Sequence, residues 1–122
     1  MDALDLAWDT FDFHSIEIAK LEQLHLDNMK NIRSLLKEEI DPPYSKRIKI
    51  KKSSLKCCDQ IIVSYKKQIS SIEDVIKIYN SGIDIPEERY IETEFLNELK
   101  LLTATLMYEM ANYKEEINKL LS

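Results

Sequence analysis

The places where helical periodicity can break constrain this chain most. One Gly and three Pro serve 122 residues, and all four fall at two points. At Asp41-Pro42-Pro43 the missing amides and the pre-proline restriction stop a helix. At Asn80-Ser81-Gly82, followed by Ile85-Pro86, the chain reaches its one residue that takes a positive φ without strain. All-β folds need far more turn residues, and Gly-rich phosphate loops cannot be made from a single Gly. Rossmann and P-loop enzymes are excluded on this ground.

Between the breaks the apolar residues advance by threes and fours, the spacing that aligns side chains on one helix face. The first segment carries Leu4, Ala7, Phe11, His14, Ile18, Leu21, His25, Asn28, Ile32 and Leu35. The second carries Ile48, Leu55, Cys58, Ile62, Tyr65, Ile69, Ile72, Ile76 and Tyr79, with Lys51 the one polar member of the series and Gly82 placed to end it. The third opens at Pro86-Glu87-Glu88, suited to the positive end of a helix dipole, and continues through Ile91, Phe95, Leu99, Leu102, Leu106, Met110, Tyr113, Ile117 and Leu120. The reading is an all-α fold: one domain over 1–122, an elongated antiparallel three-helix bundle running up-down-up. Its helices are expected near 3–40, 45–80 and 86–121, with breaks at 41–44 and 81–85. Leu6, Phe13, Ile16, Leu26, Ile61, Val63, Ile78, Leu96, Leu101 and Met107 exceed what one three-helix core needs. A second apolar face, covered by helices of a partner or of a second copy, is the expectation.

The net charge of −5 hides an alternation. Residues 1–42 hold 4 basic and 10 acidic residues, 43–81 hold 9 and 3, and 82–122 hold 4 and 9. A basic helix between two acidic ones makes each sequential antiparallel pairing attractive, although single exposed pairs contribute only ~0–1 kcal/mol. The alternative is that the charged faces serve other molecules.

Few residues form sets able to do chemistry. His14 and His25 are about three turns apart and cannot share a metal, which needs three or four ligands around one ion. No metal and no cofactor is implied. Cys57 or Cys58 with a histidine is the one nucleophile-base combination, without an orienting third group. Their place in an apolar stripe reads instead as buried structural thiols. Adjacent carboxylates such as Glu38-Glu39, Glu87-Glu88 and Glu115-Glu116 diverge by ~100° on a helix and read as solvated faces. No catalytic residue is assigned, and a non-enzymatic role is expected.

Two segments are candidates for binding. Lys46, Arg47, Lys49, Lys51 and Lys52 form a basic run whose Lys46-Arg47-Ile48-Lys49 core has the pattern of a short nuclear-import signal. Phosphate or acidic-lipid contact and an ordinary basic helix start are its other readings. Trp8, Phe11 and Phe13, interleaved with aspartates, place the strongest interface anchors near the chain's start; they serve a partner or cap the core. The expected function is a non-enzymatic helical adaptor or scaffold subunit, binding protein partners as a hetero-complex or homodimer. The alternative is a nucleic-acid- or chromatin-associated module using the basic second helix, and a third reading is a small pathogen effector in a host groove. With two cysteines, an acidic N-terminus and no apolar run near ~18 residues, a reducing intracellular compartment, cytoplasmic or nuclear, and no membrane contact are expected.

Overall fold

The computed structural model describes residues 2–38 and 43–122. The expected end of the first helix at residue 40 and the break at Asp41-Pro42 lie outside them. Three long helices follow in order, α1 (Ala3–Glu38), α2 (Tyr44–Asn80) and α3 (Thr93–Leu120), with a single 3-10 turn at Glu87–Arg89 before the last. No strand occurs among the described residues. α2 runs antiparallel to both neighbours: Cys58, Tyr65 and Gln68 meet His25, Glu22 and Ser15 of α1, and Asp59 and Glu73 meet Lys114 and Lys100 of α3. The fold is the all-α, up-down-up bundle that the periodicity demands. Its 36-residue first helix is about 54 Å long at ~1.5 Å per residue.

Each helix end has a local cause. Asp2 caps α1, its carboxylate accepting the Asp5 N–H at 2.8 Å. That bond, then the Arg89 guanidinium, holds the Asp2 carboxyl below the usual range. α2 ends where the Ser81 hydroxyl donates to the Ile78 carbonyl at 2.6 Å and Gly82 turns left-handed with φ 82°. α3 begins at Thr93 instead of at Pro86. Pro86-Glu87-Glu88 opens only the 3-10 turn, after which Tyr90 is extended. The delay follows from what this connection must reach. The Tyr79 hydroxyl donates to the Arg89 carbonyl at 2.8 Å, the Tyr79 and Tyr90 rings lie 5.1 Å apart, and Ile85 and Ile91 pack on the core. A helix continuous from Pro86 could not hold all of these contacts.

Two apolar clusters form the core. One joins Ile18, Met29 and Ile32 of α1 to Cys57, Cys58, Ile61 and Tyr65 of α2 and to Met110 and Ile117 of α3. The other joins Leu4 and Ala7 to Ile72, Val75 and Leu96. A polar belt separates them. Gln68 donates to the Ser15 hydroxyl at 2.6 Å, and Ser71 and Thr103 turn their hydroxyls onto the carbonyls of Lys67 and Leu99. The belt keeps its buried polar groups bonded, the condition for placing them in a core.

α1 buries its expected face, including the polar His25 and Asn28. α2 buries a wider one, adding Ser54, Ser64, Gln68, Ser71 and Val75, because it alone has a helix on each side. α3 departs from expectation in part. Met110 and Ile117 of the expected stripe are buried, but Phe95 and Leu102 are each 55% exposed, Tyr113 41% and Leu120 49%, and Leu96 and Thr103 are buried in their place. The helix carries two apolar stripes about 100° apart, and the one beginning at Leu96 meets α2. Ile61 and Leu96, read as surplus, are likewise fully buried.

Candidate interaction surface

α1 and α3 both lie against α2, yet among the described residues no Cα of α1 comes within 8 Å of one in α3. Packed helices stand ~8–10 Å apart between axes, so these two are splayed and meet only through side chains. Between them, above α2, opens a groove, a cleft of about 240 Å³ walled by Glu22, His25, Leu26, Met29 and Arg33 of α1 and by Leu106, Glu109, Met110 and Tyr113 of α3, with Tyr65 of α2 at its floor.

Helical phase extends this wall along α3. Phe95 stands about five full turns before Tyr113, and Leu102 about five before Leu120, so each pair points the same way. Leu102 and Leu106 are one turn apart. The exposed stripe of Phe95, Leu102, Tyr113 and Leu120 therefore borders the groove instead of facing away from α1. Leu26, 61% exposed, answers it from α1. Of the apolar residues read as surplus, Leu26 lies here, whereas Phe95, Leu102, Tyr113 and Leu120 belong to the stripe expected to be buried.

Chemistry at the cleft is subdued. The Tyr65 hydroxyl donates to Glu22 at 2.7 Å, and burial followed by this carboxylate pushes the phenol up. Cys58 Sγ lies 3.8 Å from His25 Nδ1, and Tyr113 sets its ring edge against the imidazole at 5.0 Å. A nucleophilic pair needs a lowered thiol beside a basic imidazole. Here burial pushes the Cys58 thiol up to about 11 and the His25 ring down. Both shifts oppose a thiolate-imidazolium pair. Cys57, also buried, donates to the Leu21 carbonyl at 3.3 Å. His14 stands apart and half-buried; burial, then Lys67, lowers its ring. Among the described residues no three His, Cys, Asp or Glu side chains gather as a metal site, and no helix is long and apolar enough to cross a membrane.

The two candidate segments are divided by their helices. Trp8 and Phe11 are half-buried, their rings edge to face at 5.5 Å, and both pack on the Leu4-Ala7-Leu96 cluster. Phe13 points elsewhere, 60% exposed with its ring against His14. The three do not make one patch. Lys46, Arg47, Lys49, Lys51 and Lys52 occupy the opening turns of α2 and spread around its axis. Lys49 and Lys52 are exposed, while Arg47 and Lys51 are half-buried, with the Arg47 Nε enclosed.

The ion pairs between α2 and α3 invert the expected complementarity. Lys100 reaches Glu73 at 3.3 Å and Lys114 reaches Asp59 at 2.7 Å, so the acidic helix supplies the cations and the basic helix the anions. The majority charges of both helices are left facing outward, Lys52, Lys56 and Lys67 of α2 among them along its outer side. No protein-family model matches this chain, nor does any curated protein or solved structure.

Proposed function

We propose that the chain is a non-enzymatic helical adaptor of a larger assembly that binds a partner helix in the groove between α1 and α3. One observation carries this reading: the stripe of Phe95, Leu102, Tyr113 and Leu120 leaves four large apolar side chains 41–55% exposed in a line beside an open groove. Isolated exposed apolar residues are ordinary on a soluble surface, but a contiguous line along a concave face marks an interaction site. The Cys58–His25 pair beneath the cleft adds support, since its thiol is fully buried and pushed up while its imidazole is pushed down, against reactivity. The test is a photo-crosslinking residue placed at position 102 in living cells, with position 66 on the outer side of α2 as control. A discrete protein adduct at 102 and none at 66 is expected. Equal or absent adducts at both positions refute the reading.

The outward lysines of α2 favour a second reading, contact with a nucleic acid. A salt-dependent mobility shift of duplex DNA or RNA, lost when Lys52, Lys56 and Lys67 are changed to Gln, is the outcome that reading requires.

A further inference from the structure

We infer that the occupant of the groove is a basic amphipathic helix of a different protein, lying opposite α2 as the fourth helix of the bundle. The inference rests on the adaptor reading above and adds the chemistry of the partner.

The geometry sets the shape of the ligand. Helices whose backbones approach only a common neighbour, as those of α1 and α3 do, stand at diagonal corners of a four-helix arrangement, touching across it through side chains such as His25 and Tyr113, and the vacant corner is the groove. From Phe95 to Leu120 the stripe is ~37 Å long at ~1.5 Å per residue, matching a helix of about seven turns. Leu26, Leu102 and Tyr113 offer it apolar contacts from both walls.

Charge sets the ligand's sign. Glu98, Glu109 and Glu116 are exposed and, by helical phase, stand just outside the stripe; Glu109 and Glu116 directly adjoin Tyr113. Lys100 and Lys114, which would offset them, are turned away onto Glu73 and Asp59 of α2. On the opposite wall Glu22 is acidic and Arg33 is the cation in the cleft. The rim of α3 is thus acidic along most of the stripe, and a helix flanked by Lys or Arg complements it.

A second copy does not meet both requirements. Joining two grooves face to face would set the same glutamates against one another. The outer face of α2 has the right charge, but Val63 is its one large apolar side chain exposed among the described residues, too little to cover the stripe.

The experiment is a selection from a displayed library of ~25-residue amphipathic helices whose apolar seam is fixed and whose flanking positions are randomised among Lys, Glu, Gln and Ser. The target is the intact chain, and Leu102→Glu is the counter-target. Position 102 is exposed, so the variant should fold, which its circular dichroism spectrum checks. Enrichment of Lys over Glu at the flanks, with binding at least about tenfold weaker to Leu102→Glu, is expected. Enrichment of Glu, no charge preference, binders indifferent to Leu102→Glu, or no binders at all overturns the inference. So does a concentration-dependent dimer in sedimentation that Leu102→Glu dissolves. A crosslinked partner at 102 whose contact segment is acidic would sink the basic helix and leave the adaptor reading standing.

Discussion

Leucines 96 and 102 of α3 carry the same side chain and differ by less than two turns, yet the structure assigns them opposite roles. Leu96 is fully buried where the three helices converge, among Leu4, Ala7, Ile72 and Val75. Leu96→Ala removes the whole transfer free energy of that side chain and opens a cavity whose walls, drawn from three helices, can close only in part. A loss of about 3 kcal/mol follows. Leu102 keeps 55% of its surface in water. Less than half of a leucine's ~2 kcal/mol of burial is at stake there, and no enclosed cavity forms, so Leu102→Ala should cost about 1 kcal/mol or less. Helix propensity does not alter the ranking, because both changes introduce the same strong helix former. With a urea m-value of ~1.5 kcal/mol/M, a difference of ~2 kcal/mol separates the midpoints by more than ~1 M. Ellipticity at the helical minimum against urea, on the two variants side by side, measures it. Equal losses, or a larger loss at position 102, would mean that the Phe95–Leu120 stripe faces α2 and that the groove has no apolar wall.

Three further outcomes are expected. Trp8→Ala, which uncovers Phe11 and the cluster around Leu96, should cost about 2 kcal/mol and lower Tm by several degrees in calorimetry; an unchanged Tm would show that Trp8 is free of the core. Gly82→Ala should cost ~1 kcal/mol through its left-handed backbone alone, as nothing lies within 4 Å of the added Cβ, and Gly82→Asn should cost less in the same urea titration. His25 is lowered by burial in the folded state, so the unfolded chain binds its proton more tightly: stability is full above the ordinary histidine value and falls as pH drops below it. Urea midpoints at pH 7.5 and 5.5 should therefore converge in His25→Gln relative to the parent chain; an unchanged gap would remove His25 as a source of the pH dependence.

The number of helices, their antiparallel order and the stop at Gly82 were legible in the sequence because each rests on local chemistry: threes and fours of apolar spacing, two breaks, one residue able to turn left-handed. The buried face of α3 was legible only in part, through Met110 and Ile117. Phe95 and Leu102 belong to one apolar stripe and Leu96 and Thr103 to the next, and intrinsic hydrophobicity favours the first, whereas packing chose the second. Thr103 could be buried because its hydroxyl bonds to the Leu99 carbonyl at 2.8 Å, a remedy invisible to a hydropathy pattern. The serines and Gln68 of α2 carry no local signal of burial: a helix with neighbours on two sides buries more than one stripe and needs short side chains to let both approach. The delayed start of α3 depended on contacts from Tyr79 and Arg89 that no local signal encodes. Of the groove, the sequence announced only that apolar residues were in surplus.

Because α1 and α3 make their backbone contacts with α2 and not with each other, the fold is two hairpins that share a strand of helix, and neither hairpin requires a distant part of the chain to be in place first. Chains of that kind lose little loop entropy before their contacts form, and helical bundles rich in local contacts fold in microseconds to milliseconds. During synthesis the α1–α2 hairpin can close on Ile18, Ile32, Cys57 and Ile61 while residues beyond Asn80 are still emerging. The ring contact between His25 and Tyr113 can form only once the final helix has been synthesised and lies beside that hairpin.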